Sequence, residues 1–184
     1  TLFTNGDQLA FSQILTFLNP ISHLIYTDGS NRPIQSQQLI DNQILISQTF
    51  YDSRGRKYIQ TKPAIYTPNT FGYQANFATA PNDTTNWIMS GYISDYYNGS
   101  NGKSDDQGYP YSRQRLEDST LGRKLEIGKP GKNFAIYEGN NHTITYNYGT
   151  NSENPFFTDA PTSEYYAQKV TDADGLIMCQ ISDQ

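Results

Sequence analysis

Four short stretches of this chain share one pattern, and that pattern limits the folds open to it. They read "YTDGSNRPIQSQ" (26–37), "FYDSRGRKYIQTK" (50–62), "LEDSTLGRKLEIG" (116–128) and "KVTDADGLIMCQI" (169–181). Each holds an extended run, an acid, a polar link with Gly or Asn, usually an Arg, then a second extended run. The acid-to-arginine steps are Asp28 to Arg32, Asp52 to Arg56 and Asp118 to Arg123, or four, four and five residues. In the last copy Asp172 stands four before Leu176, Gly175 is kept and the arginine is replaced. A turn acid accepts backbone N–H groups two residues on, and glycine takes positive φ without steric cost. An arginine just past the turn folds back to the acid or lies across a neighbouring aromatic. The pattern therefore predicts β-hairpins, none of which buries its apolar face without others beside it. We assign it, in a structural role, to Tyr26, Asp28, Arg32, Tyr51, Asp52, Gly55, Arg56, Asp118, Gly122, Arg123, Asp172 and Gly175.

Composition points the same way. Aromatic residues make up 14 % of the 184 residues, fifteen of them tyrosine, and charged residues only 17 %. That mixture has apolar area to bury and suits a pleated surface, so the fold class is all-β, mainly antiparallel. The net charge of −5 argues against a nucleic-acid partner, which needs a basic face. No apolar run approaches the ~20 residues of a membrane span. Cys179 has no second cysteine to bridge to, and its neighbours Leu176, Ile177 and Met178 mark it as a small buried hydrophobe. The chain begins at Thr1 and stops at "QISDQ" straight after an apolar run, with "SDQ" resembling a fifth copy cut after its acid. We therefore expect one β-rich unit over 1–184 that is a fragment of a longer polypeptide.

Two regions stand apart. The spacing of Leu9, Phe11, Ile14, Leu15, Phe17 and Leu18 suits a short helix at 8–18, or two strand pieces. The stretch from about 67 to 112 is rich in Gly, Asn and Tyr and reads as a long insertion between strands. Strand-like runs follow at 113–117, 123–127, 133–137 and 142–148. Within the insertion, Trp87, Tyr92, Tyr96, Tyr97, Tyr109 and Tyr111 form a candidate ligand surface of the kind that stacks on sugars or grips a protein.

The motif residues resemble the YD-repeat, or rearrangement-hotspot (Rhs), family, whose repeats carry Tyr-Asp followed by Gly-Arg. "YDSRGR" (51–56) is the nearest copy, with "TDGSNR" (27–32) and "EDSTLGR" (117–123) looser. The resemblance implies a hairpin strip that spirals into a hollow shell, as in Rhs toxins, the B and C components of insecticidal toxin complexes and teneurin-like barrels. It implies a non-catalytic repeat, secreted or at a cell surface, whose partner is the rest of its own chain or of a toxin complex. The acids at 28, 52, 118 and 172 are unevenly spaced, which departs from a regular spiral. A free-standing β-sandwich that binds a glycan or protein is the alternative, and a hydrolase with a carboxylate site is a third reading.

The chain offers little catalytic vocabulary. His23 lies in a strand-like run and reads as a satisfied structural histidine, whereas His142, at a turn, reads as exposed. Glu117 and Asp118 are adjacent, so their side chains diverge rather than face one substrate. Catalytic, metal and cofactor residues are expected to be none. "KSDDQG" (103–108) and "TDADG" (171–175) read as turns, the second lacking the glutamate that a calcium loop needs at its twelfth position. Asn82, Asn98 and Asn141 begin N-x-S/T sequons.

Overall fold

Among the described residues, alternation in the sequence becomes ten antiparallel strands. The computed structural model describes residues 22–67, 70–81, 86–151 and 165–182, so the helix expected at 8–18 and the sequon at Asn82 lie outside the described residues. The chain divides into two units: residues up to Ser47 with Pro63–Gln74, and Gln48–Lys62 with Ala75 onward.

The first unit holds β1 (Ser22–Thr27), β2 (Pro33–Ile40), the start of β3 (Gln43–Tyr51) and β5 (Ala64–Tyr66). β2 turns into β3 through Asp41 and Asn42, at φ 47° and 60°. Two consecutive left-handed residues make the hairpin turn whose twist matches that of the strands. β5 lies against β3 with Ile46 opposite Ala64 and Ile44 opposite Tyr66. Ile44, Ile46 and Ala64 are buried, and so are two glutamines, Gln35 and Gln37. These amides serve as a side-chain ladder for the segment after β5. Gln35 accepts from the N–H of Gln74 and donates to its carbonyl, both at 3.0 Å. Gln37 likewise donates to Gly72 O at 2.6 Å and accepts from Gly72 N at 3.2 Å. Burial without loss of hydrogen bonds makes polar residues acceptable here. His23, on β1, is exposed and bonds through Nε2 to Ser36 Oγ at 2.7 Å.

In the second unit the strand order runs from the end of β3 through β4 (Lys57–Thr61), β6 (Tyr111–Leu116), β7 (Lys124–Gly128), β8 (Ile144–Thr150), β9 (Tyr166–Thr171) and β10 (Ile177–Ser182). Among the described residues no strand of the sheet falls between Tyr66 and Tyr111. That stretch contributes a short helix, α1 (Tyr92–Tyr96), and buries Phe77, Met89 and Ile93 with Tyr109 and Tyr111.

The run at 133–137 is not the strand the alternation suggests. Lys132–Phe134 forms a 3₁₀ turn, and the N–H of Lys129 closes the loop on Phe134 O at 2.9 Å. Ala135 and Ile136 are thereby buried over Gly128, whose missing Cβ leaves room for Ile136. Cys179 also departs from expectation. It is only part-buried, beside Met178 at 69 % exposure, because among the described residues β10 pairs with β9 alone.

Candidate functional site: acid–arginine turns and an aromatic face

Three of the four turns repeat one hydrogen-bond scheme to the atom. In the second, the N–H of Asp52 donates to Arg56 O at 2.9 Å, and that of Gly55 donates to Asp52 O at 2.9 Å. Asp28 with Arg32 and Asn31, and Asp172 with Leu176 and Gly175, make the same pair of bonds. The acid's Oδ1 then accepts two further backbone N–H groups. They come from Ser30 and Arg32, from Arg54 and Arg56, and from Asp174 and Leu176. The residue before the turn's last one is left-handed each time: Asn31 at φ 60°, Gly55 at 77° and Gly175 at 84°. Asparagine tolerates this region better than other side chains, so the first copy needs no glycine there. This is a tight turn closed by a left-handed residue.

With Oδ1 given to the backbone, Oδ2 is free for arginine. Arg32 Nε reaches Asp28 Oδ2 at 2.7 Å and Arg56 Nε reaches Asp52 Oδ2 at 2.8 Å. The Arg32 hydrogen bond holds the Asp28 carboxyl below its usual range. At Asp52 burial pushes upward, but the Arg56 backbone and side chain outweigh it and the net shift is down.

The third turn corrects the acid assigned from sequence. Arg123 closes on Glu117, with Nε and Nη2 each 2.8 Å from a carboxylate oxygen, and not on Asp118. The loop is two residues longer, so Ser119 takes the turn-start position, accepting Gly122 N on its carbonyl at 3.2 Å and Leu121 N on Oγ at 3.2 Å. Glutamate's extra methylene spans the longer gap. Asp118 is 97 % exposed at its side chain and meets Arg54 of the preceding turn at 2.7 Å. Adjacent acids thus diverge, and the two turns are stitched together. Arg56 Nη1 donates to Glu117 O at 2.9 Å and Arg54 Nη1 donates to Ser119 O at 3.0 Å. Arg123 in turn lies over Tyr148 of β8 at 4.5 Å.

The Arg123 hydrogen bonds, then that of Ser119, pull Glu117 down to about 2. A carboxylate depressed in the fold contributes stability above its unfolded pKa, near 4.5, and loses it as pH falls through about 2. Glu117→Gln should therefore flatten the stability-against-pH curve between those limits and lower stability at neutral pH. Urea melts at pH 7, 4 and 2 measure this, and curves that stay parallel to wild type would contradict the pairing.

A bulge accompanies each arginine. The register slips by one residue at Tyr26/Thr27, Phe50/Tyr51 and Arg115/Leu116, leaving Ile34, Tyr58 and Leu125 as extra residues on the returning strands. The copy that lacks arginine pairs regularly through Ile177 and Met178. A bulge re-aims a side chain. At Tyr58 it brings the ring edge-on to Trp87, with centroids 6.5 Å apart.

The aromatic residues picked from sequence fall into two groups. Tyr109 and Tyr111 are 3 % and 2 % exposed, so they are core rather than ligand surface. Their hydroxyls donate to the carbonyls of Asn86 and Trp87, which is why buried tyrosines serve here and phenylalanines would not. Trp87 is part-buried at φ 56°, with the Arg113 guanidinium 3.1 Å from its ring centre. Tyr92, Tyr96 and Tyr97 remain part-exposed on and beside α1, packed ring against ring. Lys62 lies over Tyr97 at 3.7 Å and Lys103 over Tyr96 at 4.9 Å. Sequence reasoning missed Arg113, although it stands two residues from Tyr111 on one strand and so shares its inward face.

His142 is exposed, with Nδ1 3.2 Å from Ala173 O. In the two acidic stretches Asp172 is engaged by turn N–H groups, Asp105 by Gln107 N and Asp106 by Lys62.

Hairpins closed by an acid and an arginine, laid side by side in an antiparallel sheet, define the class of this protein. The chain belongs to the family described as a domain of unknown function, DUF6443, whose profile matches residues 12–150. Among curated proteins none matches the chain.

Proposed function

We propose that the chain is a non-enzymatic segment of an Rhs-like repeat shell, secreted or displayed at a cell surface, which encloses or presents a toxin or adhesion region. The observation that carries this reading is the turn-to-turn stitch. Arg54 and Arg56 of one hairpin bind the backbone of the next, at Ser119 and Glu117. Such a contact fastens one hairpin to its neighbour, which suits a strip of hairpins laid in succession. The three carboxylates whose pKa shifts are all lowered, each beside an arginine, which suits a clasp and not a proton donor. Its partners on this reading are further hairpins of its own chain or of a toxin complex.

The part-exposed Tyr92, Tyr96 and Tyr97, backed by Lys62 and Lys103, favour a second reading as a glycan- or protein-binding module. Electron microscopy of the native polypeptide that contains these residues, with its intact mass, separates the two. A strip of hairpins closed around a lumen is the expected result. A native monomer of these residues alone, enclosing nothing, would overturn the shell.

A further inference from the structure

The fourth turn keeps the frame of the clasp and lacks its cation. Asp172 Oδ1 accepts the N–H groups of Asp174 and Leu176 at 3.0 and 2.8 Å, as Asp28 and Asp52 do in their own turns. In those two turns Oδ2 binds an arginine Nε. Here leucine stands at the arginine position, and Oδ2 meets no donor among the described residues. His142, beside this turn, has its Nδ1 on Ala173 O and not on the carboxylate. All thirteen lysines and arginines lie among the described residues, and none forms an ion pair with Asp172.

The arginine position also has a direction. Arg123 lies over Tyr148 of β8, and Arg56 reaches Glu117 O just past β6, so that position projects onto the strand laid beside the returning one. In the fourth copy the returning strand is β10, which pairs with β9 alone among the described residues, and Leu176 is 70 % exposed. β10 carries none of the devices that guard a free edge. Leu176–Ser182 has no charge and no proline, and its ladder with β9 has no bulge. Apolar side chains alternate onto both faces, Leu176 and Met178 on one and Ile177 and Ile181 on the other, which is the pattern of an interior strand.

We propose that the edge of β10 receives an antiparallel strand of a further acid–arginine hairpin, and that this strand brings an arginine which completes the Asp172 clasp from outside. The arginine stem covers Leu176 and its guanidinium takes Asp172 Oδ2. Cation and apolar partner have thereby exchanged strands relative to Arg123 and Tyr148. The acids of the seat, Asp172 and Asp174, select a basic strand over an acidic one. A second copy paired edge to edge would bring only Leu176–Ser182, which has no cation to give. The source of the strand rests on the hairpin-strip reading above, whereas the seat is built within β9, β10 and their turn.

The test is an NMR titration of the folded chain with capped peptides of the β8 sequence, Ile144–Thr150, the strand that lies across from Arg123. One peptide carries Tyr148→Arg and the other Tyr148→Gln. The arginine peptide should shift signals of β10 and the fourth turn and bind about fivefold more tightly than the glutamine peptide. Asp172→Asn in the chain should erase that preference, because asparagine still accepts the turn N–H groups but carries no charge. Should that variant loosen the turn, Met178→Lys, at an exposed position on the edge, is the second probe and should weaken both peptides at least about fivefold. No binding of the arginine peptide, equal binding of the two, a preference that survives Asp172→Asn, or indifference to Met178→Lys would each overturn the proposal. A native polypeptide that encloses no lumen would sink the shell and leave this titration as it is.

Discussion

Gly91→Ala should destabilise the second unit by about 3 kcal/mol, a larger loss than any other single methyl group added at a described glycine. Two effects coincide at this position. Gly91 sits at φ 101° and ψ −177°, a region open essentially to glycine alone. It also begins α1 at a point where the helix is docked on backbone. The N–H of Tyr92 donates to Asn76 O at 3.1 Å and that of Ile93 to Phe77 O at 3.0 Å. A Cβ at Gly91 would lie 2.9 Å from Asn76 O and 3.1 Å from Phe77 O. Both oxygens are main-chain atoms engaged with the helix, so neither yields as a side chain would. The helix and its buried Ile93 must then lift off Phe77. Gly102→Ala is the internal control: it too has positive φ, at 72°, but a Cβ there meets nothing within 4 Å. That variant should cost about 1 kcal/mol, the strain of a left-handed L residue alone. Thermal melts of the two decide the matter. Equal losses would mean that the close approach to residues 76–78 does not bind.

Much of the hairpin architecture could be read from the letters, because turns are governed by local chemistry. Asp52, Gly55 and Arg56 lie within five residues of one another, and each requirement is met by its own residue type: acceptor, positive φ and fold-back cation. Asp41–Asn42 is legible on one of these counts, as two residue types that tolerate positive φ. The third turn was misread for a physical reason. Glu117 and Asp118 both satisfy the pattern, and only loop length decides which carboxylate faces Arg123. Long-range facts were less legible. Gln35 and Gln37 look like surface residues because nothing nearby announces that the backbone of residues 72–74 will arrive to bond them. The run at 133–137 alternates like a strand, yet Gly128 and Gly131 give its backbone a tighter course and Ile136 a niche to fill. Tyr109 and Tyr111 carry the composition of a binding surface, and it is the carbonyls of residues 86 and 87 that turn them inward. Arg113 carries no such signal in the sequence, because no acid precedes it at turn spacing, and among the described residues it forms no ion pair.

Lys62→Met should cost about 2–3 kcal/mol, the other large effect, through the group it strands and not through the contact it removes. Lys62 Nζ lies 2.7 Å from Asp106 Oδ2, 2.9 Å from Ser104 Oγ and 3.7 Å from the Tyr97 ring centre. Asp106 is 5 % exposed, and its backbone accepts from Tyr109 N and donates to Tyr97 O. The carboxylate therefore has no route to water without unseating the chain on both sides. Methionine keeps the stem's packing but leaves that charge uncompensated, and breaking a buried pair from one side costs about 3–5 kcal/mol. The lower figure follows because the lysine side chain keeps 25 % of its exposure, so solvent already screens part of the attraction. Neutralising both partners separates the two effects. The double variant Lys62→Met with Asp106→Asn carries no stranded charge, and an asparagine still donates and accepts hydrogen bonds at that position. It should therefore be more stable than Lys62→Met alone, by about 1–2 kcal/mol. Denaturant melts of the two singles and the double close the cycle. If the double variant is no better than the sum of the singles, the bridge is a surface pair of little consequence, and packing against Tyr97 accounts for what Lys62 contributes.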